Sequence, residues 1–196
     1  MPADPLNVRL KFMSPISHNV MGFSVPSVTN AYLRPYVLNV DGTNNTNRPL
    51  TSTSRLYCTD CHNNNQARAF NGTGPNGPHG STNTHLLISS LSQESGGGGG
   101  GNSYALCDRC HNVASLLAAS TLHSDHHQGY PCSDCHDPHG VIGGTATNNR
   151  GLTNFDTFVV KTTNPYYGIY STTAGRGTCY LTCHGQNHNP QTYPGG

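Results

Sequence analysis

Apolar residues along this chain seldom hold a helical or a strand period beyond one short segment. The clearest helical stripe covers Tyr104 to Ser120, where Leu106, Val113, Leu116 and Leu117 predict a helix with one apolar face. A short strand is predicted near Val8 to Met13. The β-prone stretches Phe155 to Thr162 and Tyr166 to Thr172 predict further strands. His85 to Leu91 is a short apolar run. The intervening chain reads as loop: Pro and Asn/Thr-rich around Gly42 to Thr51, Gly/Asn/Pro-rich at Asn71 to Gly80, and Pro/Gly-rich in the tail. Six consecutive glycines, Gly96 to Gly101, form a flexible connection. The expected fold class is mostly coil with a few short helices and little strand.

Composition sharpens the problem this pattern poses. Only 33% of the 196 residues are hydrophobic, Trp is absent, and 23 Gly and 13 Pro interrupt the periodic stretches. Side chains alone cannot bury enough apolar surface here to offset the entropy of ordering the chain. The core must come from somewhere else.

The cysteines supply it. Each of the four pairs runs directly into a histidine: Cys58 and Cys61 into His62, Cys107 and Cys110 into His111, Cys132 and Cys135 into His136, and Cys179 and Cys183 into His184. The first three have the C-x-x-C-H form of c-type haem attachment, and the fourth carries one extra residue between its cysteines. The two thiols bond the two vinyl groups of one porphyrin, and the adjoining imidazole becomes the proximal iron ligand. A zinc ribbon uses two pairs per metal and has no need of a histidine after each pair. A disulfide framework explains the even count of eight but not the four histidines. The expected cofactor is therefore heme c, four per chain. The porphyrins form the core of a tetrahaem-binding region over residues 58–196, and residues 1–57 form a haem-free N-terminal arm.

Twelve histidines leave eight beyond the proximal four. Ligation by histidine on both faces gives six-coordinate iron suited to electron transfer, with no open position for a substrate. The distal candidates are His18, His79, His123, His126 and His139. His79 and His139 both stand in Pro-His-Gly, where Pro stiffens the approach and Gly admits close backbone passage. His139 follows His136 too closely to reach the far face of the same iron, so it is expected to serve a neighbouring haem. His123 and His126 make an H-x-x-H step, with His126 favoured. His18 lies alone in the arm, to be read as a solvent-exposed residue or as a ligand for this chain or another copy. His85 is expected to be a structural histidine, His127 and His188 surface or propionate-contacting ones, and Met13 and Met21 are the minority alternative ligands.

Charge changes the picture little. A net charge of +1 and 10% charged residues give no footprint for nucleic acid or an anionic membrane, and little self-repulsion to oppose association. No run of about 18 apolar residues is present, so no transmembrane segment is expected. Met1 to Arg9 lacks the pattern of a signal peptide. Thioether attachment of haem takes place outside the cytoplasm, so an exported protein with its signal removed is expected, extracellular or at the cell surface.

With four attachment motifs, Gly/Thr/Asn-rich coil, Pro-His-Gly at His79 and His139 and a lone N-terminal His18, the chain resembles the outer-surface multihaem cytochromes of metal-reducing bacteria and related archaea. Within them it is similar to the OmcE-like tetrahaem type that polymerises into extracellular nanowire filaments. The resemblance implies bis-histidine haems stacked in alternating parallel and T-shaped pairs, with His18 in the place of the ligand that completes a haem in the neighbouring subunit. It implies electron transfer rather than enzymatic turnover. The implied partners are further copies of the chain, redox proteins and extracellular acceptors. The extra residue between Cys179 and Cys183 departs from the regular motif. The competing expectations are a soluble periplasmic tetrahaem shuttle and, behind it, a small multihaem reductase with one open iron.

Overall fold

The Asn7 side chain accepts the Arg9 N–H at 3.1 Å and so caps a five-residue helix, α1 (Val8–Phe12), where apolar alternation predicted a strand. The computed structural model describes residues 7–24, 30–91, 104–119, 132–145, 150–155, 160–161, 169–173, 176–183 and 186–193. The chain divides into two compact units. One comprises Met1–Ser27, Ala119–His126 and Ser133–Gly196, the other Val28–Ala118 and His127–Cys132. Of the residues expected to form the arm, those up to Ser27 fall in the first unit and Val28 onward in the second.

In the first unit, residues 11–17 run against residues 137–144. Val141 N–H donates to Ile16 O at 2.9 Å and Ser14 Oγ donates to Val141 O at 2.5 Å, burying Ile16 and Val141. Gly140 has φ +120°, and a Cβ there would stand 2.7 Å from Ser17 Cβ and 2.8 Å from Lys11 O. Only glycine fits this crossing. Further along are β3 (Val160–Lys161), β4 (Ile169–Thr173), β5 (Arg176–Cys183) and β6 (Gln186–Tyr193), numbered after the hairpin strands of the second unit. Strand β5 pairs antiparallel with β3, β4 and β6. The predicted β-prone stretches thus contribute β3 and β4. The tail, expected to be irregular, supplies β6, because β5 offers it a run of backbone partners from Gly177↔Tyr193 to Cys183↔Gln186.

The second unit opens with an antiparallel hairpin of β1 (Tyr36–Leu38) and β2 (Asn44–Pro49). Its turn is held by Asp41, which accepts from Thr43 N–H and hydroxyl, so part of the loop expected around Gly42 to Thr51 is strand. Behind it lies a small core of Val37, Ala67, Phe70 and Ile88, with Val40, Leu50, Leu106 and Cys110 packed against it. The helix predicted over Tyr104 to Ser120 is confined to α3 (Val113–Ala119). The second cysteine pair opens on its own 3-10 turn, Cys107–Arg109, and His111 leaves that turn as a β-bridge, breaking the stripe in two.

Candidate haem-attachment sites

Each of the three regular motifs begins on one tight helical turn: α2 (Cys58–Cys61) and the 3-10 turns Cys107–Arg109 and Cys132–Asp134. On a turn, positions three apart share a face, which is the spacing two neighbouring vinyl groups require. Cys58, Cys61, Cys107, Cys110, Cys132 and Cys135 are free thiols. Burial, reinforced by the Asp60 carboxylate, pushes the Cys61 thiol up to about 11, and burial beside Cys61 pushes Cys110 up to about 12. A hydrogen bond to Cys132, with burial behind it, raises Cys107 as well. These thiols keep their protons at neutral pH.

The histidine after each regular pair makes an isolated antiparallel bridge: His62, in extended backbone, with Leu87, His111 with Leu33, and His136 with Thr153. Each bridging partner directly follows a 3-10 turn, respectively Thr84–Leu86, Asn30–Tyr32 and Arg150–Leu152. In each case the next residue's N–H donates to the carbonyl of the motif's second cysteine: Ile88 to Cys61 at 2.8 Å, Arg34 to Cys110 at 2.8 Å, Asn154 to Cys135 at 2.9 Å. One local architecture is thus built three times from dissimilar sequences.

This architecture sets the imidazoles. His62 Nδ1 lies 2.9 Å from His85 O, and His136 Nδ1 lies 2.6 Å from Gly151 O. A carbonyl oxygen only accepts, so Nδ1 carries the proton and donates in both. Nε2 is left with its lone pair, the tautomer a metal-ligating histidine needs. Sequence reasoning set His85 aside as structural. Its imidazole has no assigned role, but its carbonyl orients His62.

His18 has the same arrangement. Its Nδ1 donates to Pro138 O at 2.7 Å, two residues beyond His136. Burial lowers its pKa, with the Pro138 bond and the Asp137 charge acting against that, so the ring is neutral at pH 7. His139 shares the corner: its N–H donates to Asp137 Oδ1 at 2.9 Å and its ring meets Phe12 edge-on at 5.7 Å. His18 and His139 thus flank Asp137 and Pro138. His79 is exposed and held beside the first motif: Asn64 Nδ2 donates to His79 O at 2.6 Å, and Asn63 Oδ1 accepts Gly77 N–H at 2.7 Å. His123, His126 and His184 lie outside the described residues. Among the described residues no group of three or more His, Cys, Asp or Glu side chains forms a cage for a bare ion.

Three basic residues that sequence reasoning passed over hold the motifs in place. Arg48 pairs with buried Asp60, Arg34 grips Asp108 with Nη2 at 2.7 and 2.6 Å from its two carboxylate oxygens, and Lys11 Nζ meets Asp137 at 2.6 Å. All three come from residues 1–57, and each reaches a carboxylate in or next to one regular motif. Sequence spacing carries no sign of these long-range pairings. The only available hint is that each regular motif has an aspartate inside it or directly after it.

The fourth motif is different. Cys179 and Cys183 both belong to strand β5, with a register irregularity between Cys179 and Leu181. No described helix is long and apolar enough to cross a membrane. No family model matches the chain, and neither a curated protein nor a solved structure is significantly similar to it.

Proposed function

We propose that this chain is an exported electron-transfer protein that carries four covalently attached c-type haems and assembles through its N-terminal segment into extracellular filaments. The observation that carries the reading is the threefold-repeated local architecture: a cysteine pair beginning on one turn, a histidine bridged to the residue after a 3-10 turn, and, at His62 and His136, Nδ1 committed to a backbone carbonyl. A redox dithiol has no use for this third element, and a zinc ribbon, which takes two cysteine pairs per metal, has no need of such a histidine after every pair. Bound haem supplies a reversible one-electron iron couple. The chain contributes the thiols that fix each ring, the imidazole that ligates it, and the carbonyl that fixes the imidazole's tautomer. His18, His79 and His139 are the described distal candidates, and the neutral His18 ring, with Nδ1 already engaged, is suited to donate Nε2 to iron.

The docking of residues 11–18 on their own chain's third motif favours a second reading, a self-contained periplasmic tetrahaem shuttle in which His18 serves its own chain. Intact-mass measurement of the exported protein, followed by electron microscopy beside His18→Ala, separates the two. Four haem increments and filaments that shorten or vanish in the variant are expected. Uniform single-chain particles in both samples would leave the shuttle. Carbon monoxide binding by the reduced protein would reveal an open iron and revive the reductase.

A further inference from the structure

Arg109 lies between Cys107 and Cys110 and is 96% buried by its 4% relative exposure, yet neither Nε nor Nη2 has a hydrogen-bond partner. Its guanidinium stacks over the Phe70 ring at 4.6 Å, which satisfies a face of the cation but none of its N–H edges. Asp60 is close enough to act on it electrostatically, but that carboxylate is engaged by Arg48 and the Tyr57 N–H. An arginine stays charged at any physiological pH, and a buried charge without a counter-ion is strongly unfavourable. The geometry therefore calls for an anion with acceptor oxygens arranged for a guanidinium fork.

We infer that Arg109 binds a propionate carboxylate of a haem attached at another motif, with Nε and Nη2 donating to its two oxygens. This rests on the haem reading above. The propionates of the haem on Cys107 and Cys110 lie across the ring from its thioethers, so Arg109, placed between those two cysteines, faces a different ring. A residue of one attachment motif would then set the charge environment of a neighbouring haem. A free anion such as phosphate has the same chemistry but is exchangeable.

The test uses the haem-loaded protein and spectropotentiometry of Arg109→Met, whose apolar stem still packs on Phe70, together with Arg109→Lys. Removing the cation beside an ionised propionate favours ferric iron. Arg109→Met should therefore shift one of the midpoints to lower potential while the others hold, and Arg109→Lys should recover most of the shift. The shift should be the same with and without phosphate in the buffer. If Arg109→Met instead carries one haem fewer, Arg109→Lys should restore it. A fully loaded Arg109→Met protein with unchanged midpoints, a lysine variant no better than the methionine one, or a shift seen only with phosphate present would overturn the inference. A parent chain without covalent haem would overturn it together with the functional reading, whereas a loaded parent with unmoved midpoints removes the propionate site alone.

Discussion

Lys11 and Asp137 form the most enclosed ion pair described, with side chains 8% and 12% exposed and Nζ 2.6 Å from Oδ2. The pair joins the segment carrying His18 to the segment carrying His139, so its loss reaches both candidate ligands. A buried pair broken on one side leaves an uncompensated charge, which costs about 3–5 kcal/mol. Asp137 keeps the His139 N–H and Asn154 Nδ2, which places Lys11→Met at the lower end, about 3 kcal/mol. In urea unfolding of the loaded protein, Lys11→Met should lower the midpoint markedly, and adding Asp137→Asn should recover most of the loss. A single variant as stable as the parent would mean that the corner is held by its backbone bonds alone.

At the scale of elements, the 3-10 turns facing His62 and His136 are the least expected feature. Residues 85 and 86 have φ +58° and +54°, and residues 151 and 152 have +70° and +64°, so both turns present their carbonyl through left-handed backbone. In one turn glycine takes the first position and in the other histidine does. A left-handed residue with a side chain costs about 1–2 kcal/mol. No atom lies within 4 Å of a Cβ built on Gly151, so Gly151→Ala should destabilise by about that amount through the backbone alone. His85→Gly should gain somewhat less, because glycine also loosens the unfolded chain. Opposite-signed shifts in unfolding midpoint check the pair, and equal losses in both would show that the His85 side chain matters after all. What is legible in the sequence is the cysteine pairs and the histidine after each, because their spacing is local chemistry. The other side of each bridge was hidden, since Asn30–Tyr32, Thr84–Leu86 and Arg150–Leu152 share no pattern and meet their histidines through their own backbone groups, which leave no mark in the sequence. The same locality explains the overlong helix at Tyr104: periodicity registers Leu106 and Val113 as one stripe but not the bridge at His111 between them.

At the scale of the whole molecule, the fourth pair decides how many haems the proposed function can use. Four steps along extended strand, with three residues between, carry Cys179 about 13 Å from Cys183 at the usual rise, whereas the other pairs each begin on one helical turn. One ring cannot bond both ends of such a segment unless the strand contracts. Contraction would break the pairings that Leu181, Thr182 and Cys183 make with His188, Asn187 and Gln186, along with those to β3. Loading the fourth site therefore competes with the end of the sheet. The four-haem protein should exchange amide hydrogens in residues 186–188 about tenfold or more faster than a Cys179→Ser/Cys183→Ser variant, equivalent to about 1.4 kcal/mol of local stability. The variant itself should weigh three haems. If the parent also weighs three and its strand end is equally protected, the C-terminal cysteines belong to a structural sheet, and the proposed electron path is confined to the three repeated sites.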